Sequence, residues 1–255
     1  MEITNKSFWE KYWGEIILPQ KVDYNFKNDR VIAQSIEKYI PNGKNKLKAL
    51  EIGCAPGKWM IFLYEKLNYR IDGLEYIDIA SKKTVENLTL CDIPEENFNV
   101  IRADFLKQKP NSQYDLLLSL GFIEHFDNYS DIFNKHLAYT KKDGYVVIGF
   151  PNFRGINYYI QLFIDRVSGS KIIENHNISM MDKKIMENMI NDKKKSIVFI
   201  DYIGGFEFAL FNLNDIKNFP LRVFMKIFVK SLSIICSKTK NRYISSYLLF
   251  IIQND

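Results

Sequence analysis

A glycine turn behind a short apolar run is the strongest chemical signal in the sequence. Residues 47–57 read LKALEIGCAPG, with Glu51 ahead of Gly53 and Gly57. An apolar run that ends in glycine predicts a buried strand, and the helical spacing of apolar residues behind it predicts a helix. Glycine lets the backbone approach a ligand closely, and a helix N-terminus offers unpaired N–H groups. The segment is therefore predicted to bind a nucleotide-like ligand.

The spacing of the glycines indicates which kind of ligand this is. A dinucleotide fingerprint, Gly-x-Gly-x-x-Gly, aligned on Gly53 requires glycines where the chain has Ala55 and Lys58. The carboxylate of Glu51 would repel a diphosphate, but it suits an ammonium group. A nucleoside that carries an amino acid therefore fits this turn better than a dinucleotide does.

An acid further along the chain suits the same ligand. The run Arg70–Leu74 predicts a second short strand, and Glu75 follows it, 22 positions after Gly53. A carboxylate at this strand tip can accept hydrogen bonds from both ribose hydroxyls. Tyr76 comes next and can pack on the adenine.

The pattern Glu51-x-Gly53-x-Ala55-x-Gly57 resembles the first motif of class I S-adenosylmethionine (SAM) dependent methyltransferases of the small-molecule type. That family usually has glycine where this chain has Ala55. The resemblance implies SAM as the cofactor and S-adenosylhomocysteine (SAH) as its product.

The later landmarks of the family imply further cofactor contacts. Asp104 follows the third predicted strand, where the family has an acid that hydrogen-bonds the adenine amino group, and the next residue donates a backbone N–H. Tyr114–Leu120 predicts the fourth strand, whose end contacts the methionine part of SAM in the family. The cofactor-binding residues implied in this way are Glu51, Gly53, Cys54, Ala55, Gly57, Glu75, Tyr76, Asp104, Phe105, Ser119, Leu120 and Gly121.

The resemblance and the order of predicted elements imply an α/β fold of one domain, 1–255. We expect a Rossmann-like three-layer sandwich with a seven-stranded, mostly parallel sheet in the order 3-2-1-4-5-7-6, an antiparallel strand 7 and a helical lid insertion. Its predicted parts are an N-terminal cap segment (1–28), a SAM-binding core (47–151), a lid insertion (152–196) and C-terminal strands and helix (197–255). In the cap segment, Tyr12 and Trp13 either cover the cofactor or only attach the segment to the domain surface.

Two histidines are candidates for a catalytic base. His125 follows the fourth strand, beside the expected methyl position, and an ordinary histidine pKa suits proton transfer near neutral pH. His176 lies between the predicted lid helices and can reach over the pocket. A backbone-bonded His125 and a surface-loop His176 are the structural alternatives. Glu124-His125 also resembles the Glu-x-x-Glu-His pattern of metal-dependent relatives, but Gly121 stands at its first position, so no metal is predicted.

Charge and cysteine content limit the classes of function. The net charge of +5 over 255 residues, with dispersed basic residues, does not require a nucleic-acid partner. The three cysteines show neither metal spacing nor a disulfide framework, which favours a reducing compartment. No signal peptide opens the chain, and no apolar run reaches the roughly 18 residues of a membrane span. A cytoplasmic location is expected, and the oligomeric state stays open.

A predicted helix near the C-terminus allows two interpretations. Arg222, Lys226 and Lys230 recur every four residues and therefore lie on one helix face. A basic amphipathic helix within 222–242 can contact a membrane surface. A helix that covers the sheet and exposes its basic face to solvent is the interpretation that we favour.

The expected activity is methyl transfer from SAM to a hydroxyl or amine of a small molecule, with a sugar or glycan precursor as the favoured acceptor. Two alternatives remain at this point. One is a SAM-fold binding subunit without catalysis. The other is a nucleotide-dependent sugar epimerase or dehydrogenase, which Lys58 and the lack of a Tyr-x-x-x-Lys dyad near the site disfavour.

Overall fold

The computed structural model describes residues 3–4, 6–110 and 113–255. In this part of the chain, helices and strands alternate for most of the length. The helices are α1 (Lys6–Gly14), α2 (Lys27–Tyr39), α3 (Lys58–Leu67), α4 (Asp78–Leu90), α5 (Tyr129–Tyr139), α6 (Ile156–Ser168), α7 (Lys183–Asp192) and α8 (Phe219–Ile235). The strands are β1 (Lys48–Ile52), β2 (Arg70–Glu75), β3 (Phe98–Arg102), β4 (Tyr114–Leu120), β5 (Thr140–Pro151), β6 (Ser196–Ile203) and β7 (Tyr247–Gln253).

The strands form one seven-stranded sheet in the order β3-β2-β1-β4-β5-β7-β6. β1 to β5 are parallel to one another, and β7 runs antiparallel between β5 and β6. The predicted fold class is therefore confirmed, including the strand order and the reversed last strand.

Side chains from both faces of the sheet are buried under helices. Along β4, Leu116 and Leu118 pack in a cluster with α2 and α3, whereas Leu117 packs in a second cluster with α5 and α7. A strand covered on both faces needs apolar residues at successive positions, which explains the continuous apolar run of β4. The result is the three-layer sandwich that the element order predicts.

The parallel strands bring their carboxyl ends to one edge of the sheet. Ile52 pairs with Leu74 on one side and with Ser119 on the other, and Glu75 pairs with Arg102. Open α/β sheets bind ligands outside the carboxyl ends of their strands, where the strand order reverses. Here that reversal lies between β1 and β4.

Two glycines shape the turn between β1 and α3. Gly53 has a φ of 66° and Gly57 a φ of 90°, and residues other than glycine rarely adopt such positive φ values. A Cβ on Gly53 would lie 3.1 Å from the Phe122 ring, and one on Gly57 would lie 3.1 Å from the Thr84 methyl group. The glycines thus let the turn fit between residue 122 and α4.

The segment predicted as a lid insertion, 152–196, has two parts with different packing. α7 contributes Met186 and Ile190 to the apolar cluster that also covers the sheet, and it packs on β6. α6 instead shares a third cluster with α8 and the segment 206–216, through Ile160 and Ile164. The loop between α6 and α7 carries Asn175 and His176 toward the end of β4.

α8 differs from the favoured sequence interpretation. It packs through Met225 and Val229 on the third cluster, and much of its opposite face is exposed apolar surface, with Phe224 and Ile227 more than 60% exposed. Among the described residues, we find no helix with the length and apolar content needed to cross a membrane.

Candidate cofactor and acceptor site

One cleft lies at the carboxyl ends of β1, β2 and β4. It encloses ≈ 680 Å³ of space free of protein atoms, with the open solvent at its mouth included. Its lining combines strand ends, the turn after β4 and the N-terminal helix: Trp9, Trp13, Gly53, Leu74, Glu75, Tyr76, Ile77, Ala103, Asp104, Phe105, Leu106, Gly121, Phe122, His125 and Phe126.

Glu75 lies at the tip of β2 and is only 6% exposed. Its Oε1 accepts a hydrogen bond from the Ile77 N–H at 2.9 Å, and the N–H groups of Tyr76 and Ala55 also point to the carboxylate. Burial raises the pKa of Glu75 to about 7, although these N–H groups oppose the shift. The carboxylate is held in one orientation, with acceptor capacity for ribose hydroxyls from the cleft.

Asp104 is on the cleft wall after β3. Its Oδ1 accepts the Leu106 N–H at 2.8 Å, and its Oδ2 is 3.3 Å from the Lys107 Nζ. Asp104 therefore both stabilises the turn after β3 and lines the cleft. Phe105, next in the chain, packs its ring against Tyr139 inside the core, so only its backbone is suited to contact a cofactor.

Glu51 is buried near the end of β1, within hydrogen-bond reach of the first turn of α3. The Met60 N–H donates a hydrogen bond to its carboxyl group, while Oε2 has no partner. Burial raises the pKa of Glu51 well above its usual range, and nearby Lys58 opposes this shift. Lys58 itself pairs with Asp29 at 2.8 Å. An ammonium group delivered by a ligand would supply the partner that Oε2 lacks.

Several predicted cofactor residues are not on the cleft wall. The Cys54 side chain is fully buried, and its Sγ lies 2.6 Å from where a Cβ of Gly73 would be. Gly57 faces α4, and the Ser119 Oγ is buried without a hydrogen-bond partner. The predicted residues that lie outside the wall are Glu51, Cys54, Ala55, Gly57, Ser119, Leu120 and His176. Their assignment to the cofactor or to catalysis stays a prediction.

The N-terminal helix α1 covers one side of the cleft with two tryptophans. Trp9 and Trp13 line the wall, and the Trp9 ring meets the His125 ring edge-on at 5.0 Å. Tyr12, which the sequence suggested beside Trp13, is 54% exposed and does not line the cleft. Trp9 and Trp13, four positions apart on α1, both face the cleft, whereas the Tyr12 side chain is turned toward solvent.

His125 is held by two distant segments. Its Nδ1 lies 2.8 Å from the Asn175 carbonyl oxygen and 2.9 Å from the Thr4 Oγ1, while the Ile3 N–H donates to the His125 carbonyl oxygen. A carbonyl oxygen only accepts, so we assign the proton of the neutral ring to Nδ1 and the lone pair to Nε2. Burial and the neighbouring His176 lower the pKa of His125 to about 3. The ring is therefore neutral at physiological pH.

Glu124 is a residue that the sequence analysis considered only as part of a metal pattern. It is 1% exposed, and neither of its carboxylate oxygens has a hydrogen-bond partner. Burial raises the pKa of Glu124 to about 8. Its Oε1 lies 3.9 Å from the His125 Nε2 and 3.7 Å from where a Cβ of Gly121 would be. The signal in the sequence was a carboxylate four residues after the end of a buried strand.

His176 completes a group of three side chains with Glu124 and His125. Its ring centroid is 4.6 Å from that of His125, and its Nδ1 lies 2.6 Å from the Ile172 carbonyl oxygen. Ligand atoms from the three residues lie within 4.8 Å of one another. Two imidazoles that donate Nδ1–H to carbonyls, with one carboxylate, can hold a divalent ion. The expectation of no metal rested on Gly121 alone, and it stays a prediction.

A family model described as a methyltransferase domain matches residues 24–183, which is more than half of the chain. The chain therefore belongs to the methyltransferase domain family. Its sheet order is that of the class I fold of SAM-dependent methyltransferases, and solved neighbours with this fold were crystallised with SAH. The recognised family is thereby confirmed, and the SAH of the neighbours agrees with the predicted cofactor.

Three similar proteins illustrate how the family varies. Malonyl-[acyl-carrier protein] O-methyltransferase 2 of Ilyobacter polytropus is 27% identical over 131 residues. These residues make up 51% of this chain, and the chain spans about half the length of this relative (48%). Geranyl diphosphate C-methyltransferase from Streptomyces coelicolor A3(2), solved with Mg²⁺, geranyl diphosphate and SAH, has a TM-score of 0.63 at 12% identity over 98% of both chains.

The third is coclaurine N-methyltransferase bound to N-methylheliamine and SAH. Its TM-score is 0.57 at 14% identity, over 88% of this chain and 72% of that one. The two solved structures show the fold alone. The three names describe transfer to oxygen, carbon and nitrogen, so the fold leaves the accepting atom open.

Proposed function

We propose that this methyltransferase transfers the methyl group of SAM to a hydroxyl or amine of a small molecule bound at the end of the cleft where His125 lies on the wall and Glu124 is buried behind it. The observation that carries the proposal is the buried carboxylate of Glu124, which has no partner of its own and lies beside a neutral, backbone-held His125. Buried polar groups in folded proteins nearly always have partners, and an exception points to a ligand or to catalysis.

The cofactor residues fit SAM in a single orientation. Glu75 would accept the ribose hydroxyls, and Asp104 would accept the adenine amino group at the far wall. Glu51, one oxygen of which has no partner, would accept the ammonium group of the methionine part. The sulfonium would then lie near Gly121, where β4 ends and the Glu124–His125 pair begins. Methyl transfer is an in-line displacement, so holding acceptor and methyl in line supplies much of the rate.

The pair next to Gly121 can take up the proton of a hydroxyl acceptor. With Nδ1–H donated to Asn175, the His125 lone pair is on Nε2, 3.9 Å from Glu124. Because the pKa of His125 is about 3 and that of Glu124 is about 8, the carboxylate is the stronger base of the two. Glu124 therefore receives the proton, directly or through His125. A neutral amine acceptor would need alignment more than a base.

The acceptor class follows from the walls of the cleft. Trp9, Trp13, Phe122 and Phe126 surround the His125 end, and aromatic faces pack on apolar groups and on the C–H faces of sugar rings. A sugar or glycan precursor therefore remains the favoured acceptor within the small-molecule class. The relative named as a malonyl-[acyl-carrier protein] O-methyltransferase makes an oxygen acceptor a reasonable first choice.

The test is SAH release with a panel of paired acceptors that differ only in carrying a hydroxyl or an amine. SAM binding without SAH release for any acceptor, while a reference methyltransferase responds, would favour the binding subunit without catalysis. Calorimetry should show SAM and SAH binding and no NAD binding. NAD binding in the absence of SAM binding would contradict the assigned cofactor site.

A further inference from the structure

Helix α8 exposes apolar side chains along most of its length. At 17 residues, it is long enough to lie flat on a surface, and its buried side consists of Met225 and Val229. Most large apolar side chains in a soluble domain are buried, so a run of exposed ones on one helix marks an interaction surface. The residues of this α8 face, each at least 40% exposed, are Phe219, Val223, Phe224, Ile227, Phe228, Ile234 and Ile235.

An apolar groove extends this surface toward α6. Ile156 and Tyr159 of α6 line the groove together with Leu232 of α8 and Tyr243. The Tyr159 side chain is 72% exposed. The exposed apolar surface therefore continues from the α8 face to α6 and residue 243, and the groove shares no lining residue with the cleft at the carboxyl ends of the strands.

Basic residues run along one edge of the α8 face, and no acidic residue accompanies them. Arg222, Lys226 and Lys230 follow one another at intervals of four, so they form a row on the helix. Between Asp215 and Asp255 the chain has no Asp or Glu. The seven basic residues of this stretch are Lys217, Arg222, Lys226, Lys230, Lys238, Lys240 and Arg242.

We propose that the α8 face docks on an anionic lipid surface, with its apolar side chains among the acyl chains and its basic row on the headgroups. An exposed apolar face edged by Lys and Arg is the pattern of helices that lie in the membrane interface. The long stems of Lys226 and Lys230 can stay along the apolar surface while their ammonium groups reach the phosphates.

The charge pattern favours lipid over a second copy of this chain. A symmetric dimer through the α8 face would bring the two basic rows together, and the stretch offers no carboxylate to pair with them. Like charges that face each other across an interface are unfavourable. An anionic membrane instead supplies the opposite charge.

The experiment is flotation of the full-length protein with vesicles of phosphatidylcholine alone or with phosphatidylserine added. Binding is expected only with phosphatidylserine, and it should weaken as salt is raised. Phe224→Glu/Ile227→Glu should lower the partition coefficient roughly 100-fold, since two apolar side chains no longer insert. Lys226→Gln/Lys230→Gln should lower it roughly 5-fold per charge.

Matched variants separate the α8 face from general surface effects. Leu90→Glu changes another exposed apolar residue, on α4, and Lys193→Gln/Lys194→Gln removes the same net charge at the end of α7. Both should bind vesicles as the wild type does, and circular dichroism should show all variants folded. Equal binding to both vesicle types, no binding to either, or a concentration-dependent dimer that Phe224→Glu/Ile227→Glu dissociates would each overturn the proposal.

Discussion

The proposed cofactor half of the cleft and its proposed acceptor half are built in different ways. In the cofactor half, Glu75 ends β2 and Asp104 lies two residues after β3, and backbone N–H groups close by hold them. In the acceptor half, His125 is held by Thr4 and by Asn175, which are 121 and 50 residues away in the chain. The first arrangement follows from local sequence, whereas the second exists only after the chain has folded.

The two halves also differ in the hydrogen-bond partners of their buried carboxyl groups. Glu75 already accepts backbone hydrogen bonds and can accept further ones from a ligand. Among the described residues, no other residue donates a hydrogen bond to the Glu124 carboxyl group, and only its own backbone N–H acts on that group. A satisfied carboxylate suits binding, and an unpartnered one with a raised pKa suits proton transfer. Each prediction below changes one half and leaves the other in place.

The largest effect is expected in the acceptor half, from Glu124→Gln. We expect kcat with a hydroxyl acceptor to fall ~10²–10⁴-fold because the base is lost, while the affinity for SAM stays nearly unchanged. The wild-type rate should rise with pH up to about 8, where Glu124 becomes ionised, and the variant should lose this dependence. Steady-state kinetics across pH and calorimetry with SAM measure the two quantities.

Two controls accompany this substitution. Glu86→Gln changes an exposed glutamate on α4 and should leave kcat unchanged. Dialysis against a chelator should also leave the rate unchanged if the three side chains act without a metal. A rate that disappears with the chelator and returns with a divalent ion would make Glu124, His125 and His176 a metal centre instead.

The same pH profile tests the expectation that His125 is the base. A histidine with an ordinary pKa would give a pH-dependent rate near neutrality, but burial lowers the pKa of His125 to about 3. His125→Ala should therefore reduce kcat without removing the rise toward pH 8. If the rise disappears in His125→Ala and persists in Glu124→Gln, then the histidine is the base.

The next effect belongs to the cofactor half. Glu75→Ala should weaken SAM binding by about 1.5–3 kcal/mol for each hydrogen bond lost to the charged carboxylate. The turnover of SAM-saturated enzyme should change much less, since Glu75 lies at the ribose end. Calorimetry gives the dissociation constant, and Glu86→Ala is the matched exposed control. An unchanged constant would exclude Glu75 from the cofactor site.

The contrast between the halves explains which features the sequence could predict. Strand, glycine turn and acid follow one another within a few residues, so the sheet order and the positions of Glu75 and Asp104 could be predicted from the sequence. The contact between Thr4, His125 and Asn175 could not be predicted, because these residues are far apart in the chain and share no sequence motif. Tyr12 was chosen in place of Trp9 for a related reason: which face of α1 meets the cleft depends on how the helix packs on α4.

A smaller effect is expected where α1 covers the cleft. Trp9→Ala should raise KM for the acceptor or SAM roughly 3–10-fold, because an aromatic wall and its edge contact with His125 are lost. Tyr12→Ala removes an exposed ring from the same helix and should leave KM unchanged. Equal effects of the two substitutions would mean that α1 acts only as a surface attachment of the fold.

The smallest effects concern stability, and the contributions of Glu75 and His125 should respond to pH in opposite directions. The pKa of Glu75 is about 7 in the folded protein against 4.5 as a free side chain, so the folded state binds more protons between these values. The contribution of Glu75 to stability is therefore lost as pH rises toward 7. His125, with a pKa of about 3 against 6.5, binds fewer protons when folded, and its contribution is lost as pH falls below 6.5.

Two substitutions measured without SAM test this opposition. Relative to the wild type, Glu75→Gln should gain unfolding free energy as pH rises from 4.5 to 7, and His125→Gln should gain it as pH falls from 6.5. One titrating group contributes a slope of at most about 1.4 kcal/mol per pH unit. Urea unfolding at several pH values gives both slopes. Other buried groups titrate equally in the wild type and the variants, so the quantity to compare is the difference in unfolding free energy between each variant and the wild type. If this difference does not change with pH for either variant, then neither pKa shift exists.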